Sequence, residues 1–300
     1  MQGVTPKILL KKYMKIQNHS RFVFGGLLAG AVTCLAFQSV HAQLLFSEPF
    51  NYTPGSGIAG LVNPGVSPSY TSSAWTGGNS SELQIGSSQL TYPGLQEAAG
   101  NDLVYTSSGS SSTSYNTYSA VTSGSVYYSF LIDCTTLPTA NEYITALNPG
   151  TTTPGGSSDD LSTYVGASGS GWKIGVRTTG GGSGAAYSSA LTLNTTYFVV
   201  EELTLGSAPV ANIYLDPVPG ASQPGTPTAT QSTATAINSV DDVGFKVQSV
   251  TTTGDFIIDN LLIGETWADV TPESVPEPST FVLAGLGLLG LAARLRRARR

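Results

Sequence analysis

The chain has two histidines, His19 and His41, and none beyond residue 41. That absence removes Ser-His-Asp hydrolysis, His-ligated zinc and imidazole acid–base chemistry from everything downstream. Cysteine is as scarce. Cys34 lies in an apolar stretch near the N-terminus and Cys134 stands alone in the remainder, so no internal disulfide can form there. Cys134 follows Leu131-Ile132-Asp133 and is expected as a buried hydrophobe, an intermolecular bridge being the alternative. Positive charge is missing from the middle of the chain. Between residues 43 and 275 the only bases are Lys173, Arg177 and Lys246, against all acids but Glu277, so the formal charge there is 3 − 18 = −15. An acidic segment of this kind disfavours nucleic acid and anionic membrane surfaces as partners, and its plain reading is a solubility device. Long apolar runs occur only at the two ends, and long helical periodicity is absent.

At the N-terminus, Lys7, Lys11, Lys12, Lys15 and Arg21 precede an apolar run over 22–37, and Val40-His41-Ala42 fits a small-x-small cleavage pattern. Residues 1–42 therefore read as a signal peptide cut between Ala42 and Gln43, with the Sec translocon as the implied partner. Met14 begins an equally good leader. Cys34 follows Val32-Thr33, which lacks the small residue that a lipoprotein signal needs before its cysteine.

The C-terminus has three parts. Val275-Pro276-Glu277-Pro278-Ser279 is stiff and extended, because proline cannot sit inside a helix and pushes its predecessor towards extended backbone. The 16 residues between Glu277 and Arg294 are uncharged. As a helix they span roughly 24 Å, somewhat short of a hydrocarbon core of about 30 Å. Arginine stems make up part of the shortfall by snorkelling. Gly285, Gly287 and Gly290 suit close packing in a membrane, and all faces of the run are apolar, unlike an amphipathic helix docked on a domain. Arg294, Arg296, Arg297, Arg299 and Arg300 then act as a cytoplasmic anchor and leave the residues before 275 outside.

Together these three parts resemble the PEP-CTERM sorting signal. The resemblance implies bacterial export, recognition by an exosortase at Pro276, Glu277 and Pro278, cleavage near that motif, and delivery from a membrane-anchored intermediate to the cell surface or extracellular matrix. The expected organisation is a signal peptide over 1–42, a passenger over 43–270 and a sorting segment over 271–300, with motif 275–279, helix 279–293 and basic tail 294–300.

About 230 passenger residues suffice for one large domain with a sizeable core. Strands are expected at 44–50, 126–133, 143–147, 161–167, 172–178, 196–205, 212–216, 240–248 and 255–263, with a hairpin of 82–85 and 89–92 around Gly86-Ser87-Ser88. Val126, Tyr128, Phe130 and Ile132 share one face, and Trp172, Ile174 and Val176 point inward with Lys173 and Arg177 outward. Residues 217–236 read as a long exposed loop, and 148–160 as another loop. Many short strands with Gly-rich turns and no helices predict an all-β, two-sheet antiparallel jelly-roll sandwich. An immunoglobulin-like array is the alternative, but no repeat of about 100 residues supports it. The closing stretch from Gly254 to Val270, with Ile258-Asp259-Asn260-Leu261 and Thr266-Trp267-Ala268-Asp269, resembles the last strand of LamG-like, concanavalin-type jelly rolls. The opening Leu45-Phe46-Ser47-Glu48-Pro49-Phe50-Asn51-Tyr52 resembles their first. That resemblance implies adjacent first and last strands. The family includes carbohydrate-binding modules, adhesive domains and some enzymes, so it does not choose among them.

Glu201 and Glu202 are the most tempting acids, but neighbours on a strand point to opposite faces and cannot flank one sugar. One is expected in solvent and the other salt-bridged or at a sheet margin. Asp255 and Asp259 share a strand face and are the candidate ligands for calcium, the one cofactor left open, against the plainer reading of solvated acids; Asp259-Asn260 can instead satisfy backbone groups at a strand irregularity. Trp75 in a Gly-rich loop, with Tyr115 and Tyr118, is the candidate surface for stacking on sugar rings, against the plainer reading of core aromatics. The expectation is an exported, non-enzymatic binding or structural protein with polysaccharide as candidate ligand. A secreted carbohydrate-active enzyme using carboxylates alone and a purely structural matrix component are the alternatives.

Overall fold

Alternation of apolar with polar side chains makes the strands of this chain, and short turns rich in glycine and serine fold them antiparallel. The computed structural model describes residues 44–63, 73–78, 81–106, 111–150, 159–178, 184–247 and 254–274, together with 294, 296 and 297. Its strands are β1 (Leu44–Glu48), β2 (Thr76–Gly77), β3 (Leu83–Ile85), β4 (Leu103–Tyr105), β5 (Ser112–Val121), β6 (Ser125–Cys134), β7 (Glu142–Asn148) and β8 (Leu161–Ser168). There follow β9 (Gly171–Thr178), β10 (Ala186–Tyr187), β11 (Tyr197–Thr204), β12 (Val210–Leu215), β13 (Ala229–Ser232), β14 (Val240–Val247), β15 (Phe256–Gly264) and the short helix α1 (Trp267–Val270).

They form two antiparallel sheets. The first has the order β13-β12-β11-β6-β15-β4-β3, with β1 also paired to β15, and the second has the order β10-β9-β8-β7-β14-β5-β2. The first and last strands are adjacent, Phe46 facing Ile263 and Glu48 facing Leu261. The inner faces meet in one apolar core that includes Val126, Tyr128, Phe130 and Ile132 from β6 and Trp172, Ile174 and Val176 from β9. Each such side chain contributes about 1.5–3 kcal/mol by leaving water.

Several elements differ from expectation. Ser112–Val121 is a ten-residue strand absent from the expected set; its inward residues alternate with Thr113, Tyr115 and Thr117 facing out. Residues 89–92 form no strand and instead cross the outer face of the first sheet, where Leu90 joins an apolar cluster. Part of the expected exposed loop 217–236 is β13, paired to β12 at the sheet edge. The expected loop 148–160 lies largely outside the described residues.

Candidate functional site

Trp75 is not a surface aromatic. It is 1 % exposed, stacks on Phe245 at a centroid distance of 5.1 Å, and donates Nε1–H to Glu48 Oε2 at 2.8 Å. Glu48, itself buried, also accepts from Tyr52 Oη and from the backbone N–H of Phe50, both at 2.7 Å. Burial raises its pKa and these donors oppose the rise. The Gly-rich surroundings of Trp75 suggested exposure, but the buried carboxylate supplies the indole with its partner inside the core. Tyr118 is likewise buried and faces inward against Phe46. Of the three aromatic candidates only Tyr115 points outward, half-buried and opposite Gly244.

The proposed calcium pair fails on spacing. Four residues along a strand separate Asp255 from Asp259, roughly 13 Å, whereas one ion holds its ligands at about 2.3–2.6 Å. Their partners are separate too. Asp255 Oδ2 accepts from Thr136 Oγ1 at 3.0 Å, while Asp259 accepts from Leu90 N at 2.9 Å and Asn260 N at 2.6 Å. Asp259 is buried, which pushes its pKa up to about 7, and with Asn260 (φ 49°) it forms an irregularity in β15 that anchors residues 90–98. Among the described residues no group of three or more His, Cys, Asp or Glu side chains could hold a metal ion.

Glu201 and Glu202 do point to opposite faces; Glu202 is half-buried on an outer face, while Glu201 is neither salt-bridged nor at a sheet margin. Glu201 is wholly buried between the sheets, where Thr163 Oγ1 lies 2.8 and 3.0 Å from its two oxygens. Burial pushes its pKa up to about 8, against the opposing hydrogen bond from Thr163. At neutral pH it is an uncharged acid, so one of the two contacts carries the threonine's proton and the other the acid's. Glu202 sits on the outer face of the first sheet and accepts from Gln223 Nε2 at 2.9 Å, Asn212 Nδ2 at 3.0 Å and Tyr127 Oη at 3.2 Å.

That outer face is closed. Phe198, Val200, Leu131, Tyr214 and Leu262 make a second apolar cluster with Leu90, Leu95, Trp267 and Val270. The cover consists of residues 90–98, the segment around Ala221 and Gln223, and α1. Trp267 Nε1 donates to Ala221 O at 3.0 Å, and α1 is fixed by reciprocal bonds between Thr266 and Asp269.

The outer face of the second sheet is built differently. The register places Tyr143, Tyr164, Gly175 and Tyr187 in one row across β7, β8, β9 and β10. The neighbouring row runs Tyr115, Gly244, Ala146, Ser162, Arg177. Tyr143 and Tyr164 lie 5.7 Å apart, Arg177 Nη1 donates to Tyr164 Oη at 3.3 Å, and Lys173 Nζ sits 4.1 Å over the Tyr187 ring. Lys246 Nζ lies 5.6 Å from the Tyr143 ring. Burial pushes the Tyr187 hydroxyl up to about 12, with Tyr164 adding to the rise, so Tyr187 stays a neutral donor. Asp242 and Asn148 face each other in the next row, and the Asn148 amide, turned to satisfy both its ends, donates to Asp159 Oδ1 at 3.0 Å. Alternation in β9 placed Lys173 and Arg177 outward, but only the strand order brings them beside the tyrosines of β7, β8 and β10.

The C-terminal segment completes the geometry. Gln96 N donates to Pro272 O at 2.8 Å and Ser274 N to Gly94 O at 2.9 Å, which ties residues 272–274 to the sandwich. An open depression of about 410 Å³ adjoins it, lined by Gln89, Leu95, Gln96, Glu97, Ala99 and Ser274. Residues 274–297 match the family model described as the PEP-CTERM protein-sorting motif. The chain carries a PEP-CTERM sorting motif. Such a motif implies export and exosortase-mediated processing. Here the PEP-CTERM segment begins at Ser274, which among the described residues still pairs its backbone with Gly94 of the passenger. Pro276, Glu277, Pro278, the apolar run 279–293, Arg299 and Arg300 lie outside the described residues, as do Ala42 and Gln43. Arg294, Arg296 and Arg297 are helical and exposed, and among the described residues no helix is long and apolar enough to cross a membrane.

No curated protein matches the chain. Among solved structures it is similar to the alginate lyase Aly36B (13% identity, 71% of this chain and 98% of that chain, TM-score 0.41). It is also similar to the T. cruzi calreticulin globular domain (12% identity, 75% and 88%, TM-score 0.42). A third is the VIP36 exoplasmic/lumenal domain in its Ca2+/Man3GlcNAc-bound form (8% identity, 61% and 85%, TM-score 0.37). Likenesses at this level carry no argument, and the two-sheet architecture stands on the strand pairing alone.

Proposed function

We propose that this is an exported protein, sorted through its PEP-CTERM tail to the cell surface or extracellular matrix, whose jelly-roll sandwich binds polysaccharide without cleaving it. The binding surface is the outer face of the second sheet. One observation carries the reading: the first sheet's outer face is filled by its own apolar cluster, whereas the second presents half-buried Tyr164, Tyr187 and Tyr115 beside small residues. Aromatic rings with polar tips on a rigid sheet suit the alternating apolar and hydroxyl surfaces of a sugar ring. A carboxylate-only hydrolase has less support, because Glu201 lies between the sheets and Glu202 on the other outer face, where neither can flank a glycosidic bond with the other.

The test is affinity electrophoresis of the processed protein in gels cast with soluble polysaccharides. Retardation that Tyr164→Ala abolishes, with no new reducing ends or unsaturated products, is expected. Product release would overturn the non-enzymatic reading, and retardation unaffected by Tyr164→Ala would move the site elsewhere.

A further inference from the structure

The chain leaves the sandwich as a paired strand. Thr271 O accepts from Gly220 N at 2.8 Å, Pro272 O accepts from Gln96 N at 2.8 Å, and Ser274 N donates to Gly94 O at 2.9 Å. The last two bonds flank Leu95 and Glu273, which stand opposite each other as a non-hydrogen-bonded antiparallel pair. The partner segment is itself fixed. Leu90 N donates to Asp259 Oδ2 at 2.9 Å, Ala98 N donates to Asn260 Oδ1 at 3.2 Å, and Leu90 and Leu95 are buried in the apolar cluster of the first sheet's outer face. On its other side the exit segment packs so closely on Gly220 that a β-carbon added there would lie 2.8 Å from Glu273 Cβ. Residues 271–274 are thus held between two segments of the passenger.

The sequence places Pro276, Glu277 and Pro278 directly after this segment. Glu277 is three residues beyond Ser274, so with the pairing intact it reaches at most about 11 Å from a backbone atom tied to the sandwich. Extended peptides are recognised largely through their main-chain N–H and C=O groups. Pro276 and Pro278 bring no N–H of their own, which shifts that recognition onto their neighbours. On the N-terminal side the neighbours are residues 272–275, and there Pro272 O and Ser274 N are already bonded to Gln96 and Gly94. A cleft that takes the motif with its upstream residues and the segment 94–96 therefore compete for one strand.

We infer that the pairing of residues 272–274 with 94–96 masks the sorting motif in the folded passenger, and that exosortase processing proceeds from the state in which this exit segment has opened. This rests on the sorting reading of the C-terminal motif and adds a step that the passenger's own fold imposes on it. The opening is local. Two backbone hydrogen bonds join the segment to 94–96, and Glu273 and Ser274 are exposed, which is the kind of element that detaches without global unfolding. The rate of tail removal then reports how firmly residues 94–96 hold the exit segment as well as how well the motif is recognised.

The experiment follows the full chain in its exporting host by pulse–chase, with removal of the tail read as a loss of mass. A non-hydrogen-bonded pair brings its α-carbons to about 4.5 Å, so Leu95→Cys combined with Glu273→Cys allows a disulfide that holds the exit segment shut. The oxidised variant is expected to lose its tail roughly tenfold or more slowly than the unaltered chain, and a reductant should restore the rate. A spacer of about six Gly and Ser residues between Ser274 and Val275 extends the reach of the motif by up to ~20 Å. It should return the oxidised variant to at least the unaltered rate, which separates masking from misfolding. Tail removal from the oxidised variant at the unaltered rate would overturn the masking while leaving the sorting reading intact. An oxidised variant that keeps its tail even with the spacer would give the block another cause and overturn the inference. Retention of the tail by the unaltered chain would overturn the sorting reading and the inference with it.

Discussion

The two outer faces of the sandwich have opposite fates. On the first sheet, β11 and β15 are apolar on both sides: Val199 and Leu203 enter the main core while Phe198 and Val200 enter the second cluster. Such a sheet must be covered, and residues 90–98 and α1 cover it. On the second sheet, β8 and β9 keep Ser162, Tyr164, Lys173 and Arg177 on the outside. One face is covered by an apolar cluster of the chain's own side chains, and the other carries half-buried Tyr164 and Tyr187. The difference is the ground on which the proposed ligand site is put on the second sheet.

The largest expected effect tests the closed face. Phe198 is 1 % exposed, so Phe198→Ala should cost about 3–5 kcal/mol in urea unfolding. Tyr164→Ala on the open face should cost under about 1 kcal/mol. Equal costs for the two would erase the contrast between the faces.

Between the sheets, Glu201 sharpens the comparison through pH. Its folded pKa of about 8 lies above the unfolded value of 4.5, so the native state holds a proton that the unfolded chain gives up. Stability is therefore greatest at low pH on this group's account, falls as pH rises from 4.5 to about 8, and is flat above that. Glu201→Gln should remove this slope, gaining on the order of a few kcal/mol at pH 9 and almost nothing at pH 4. Denaturant midpoints measured across that range decide it, and an unchanged slope would mean that Glu201 is ionised in the fold.

The smallest effect is the most telling for function. Lys173→Gln and Arg177→Gln should each change stability by no more than about 0.5 kcal/mol, because neither closes an ion pair with a carboxylate among the described residues. A loss of several kcal/mol from either would make these cations structural and place the open face among the stabilising ones.

Much of the architecture was legible in the chain. Period-two alternation in β6 and β9 identified both the strands and their inward faces, and the resemblance of the opening and closing stretches to LamG-like strands implied the adjacency that β1 and β15 show. The serine- and threonine-rich β5 was missed because its inward residues are small and polar, which weakens the alternation signal. Trp75 and Tyr118 were misplaced for the converse reason: loop-like neighbours suggested exposure, while a buried Glu48 and the ring of Phe46 waited across the core.

By itself the sequence determined the sorting motif at the C-terminal end and part of the chemistry by exclusion. The tail is a local code, read from charge, apolar length and proline within a few dozen residues, and the lack of histidine beyond residue 41 excludes imidazole chemistry there whatever the fold. Only the tertiary structure decided which acids are buried, which sheet face is closed, and that three bases scattered between residues 173 and 246 share one surface. Those properties depend on which strands lie side by side, and strand order is set by long-range packing rather than by any neighbouring residue.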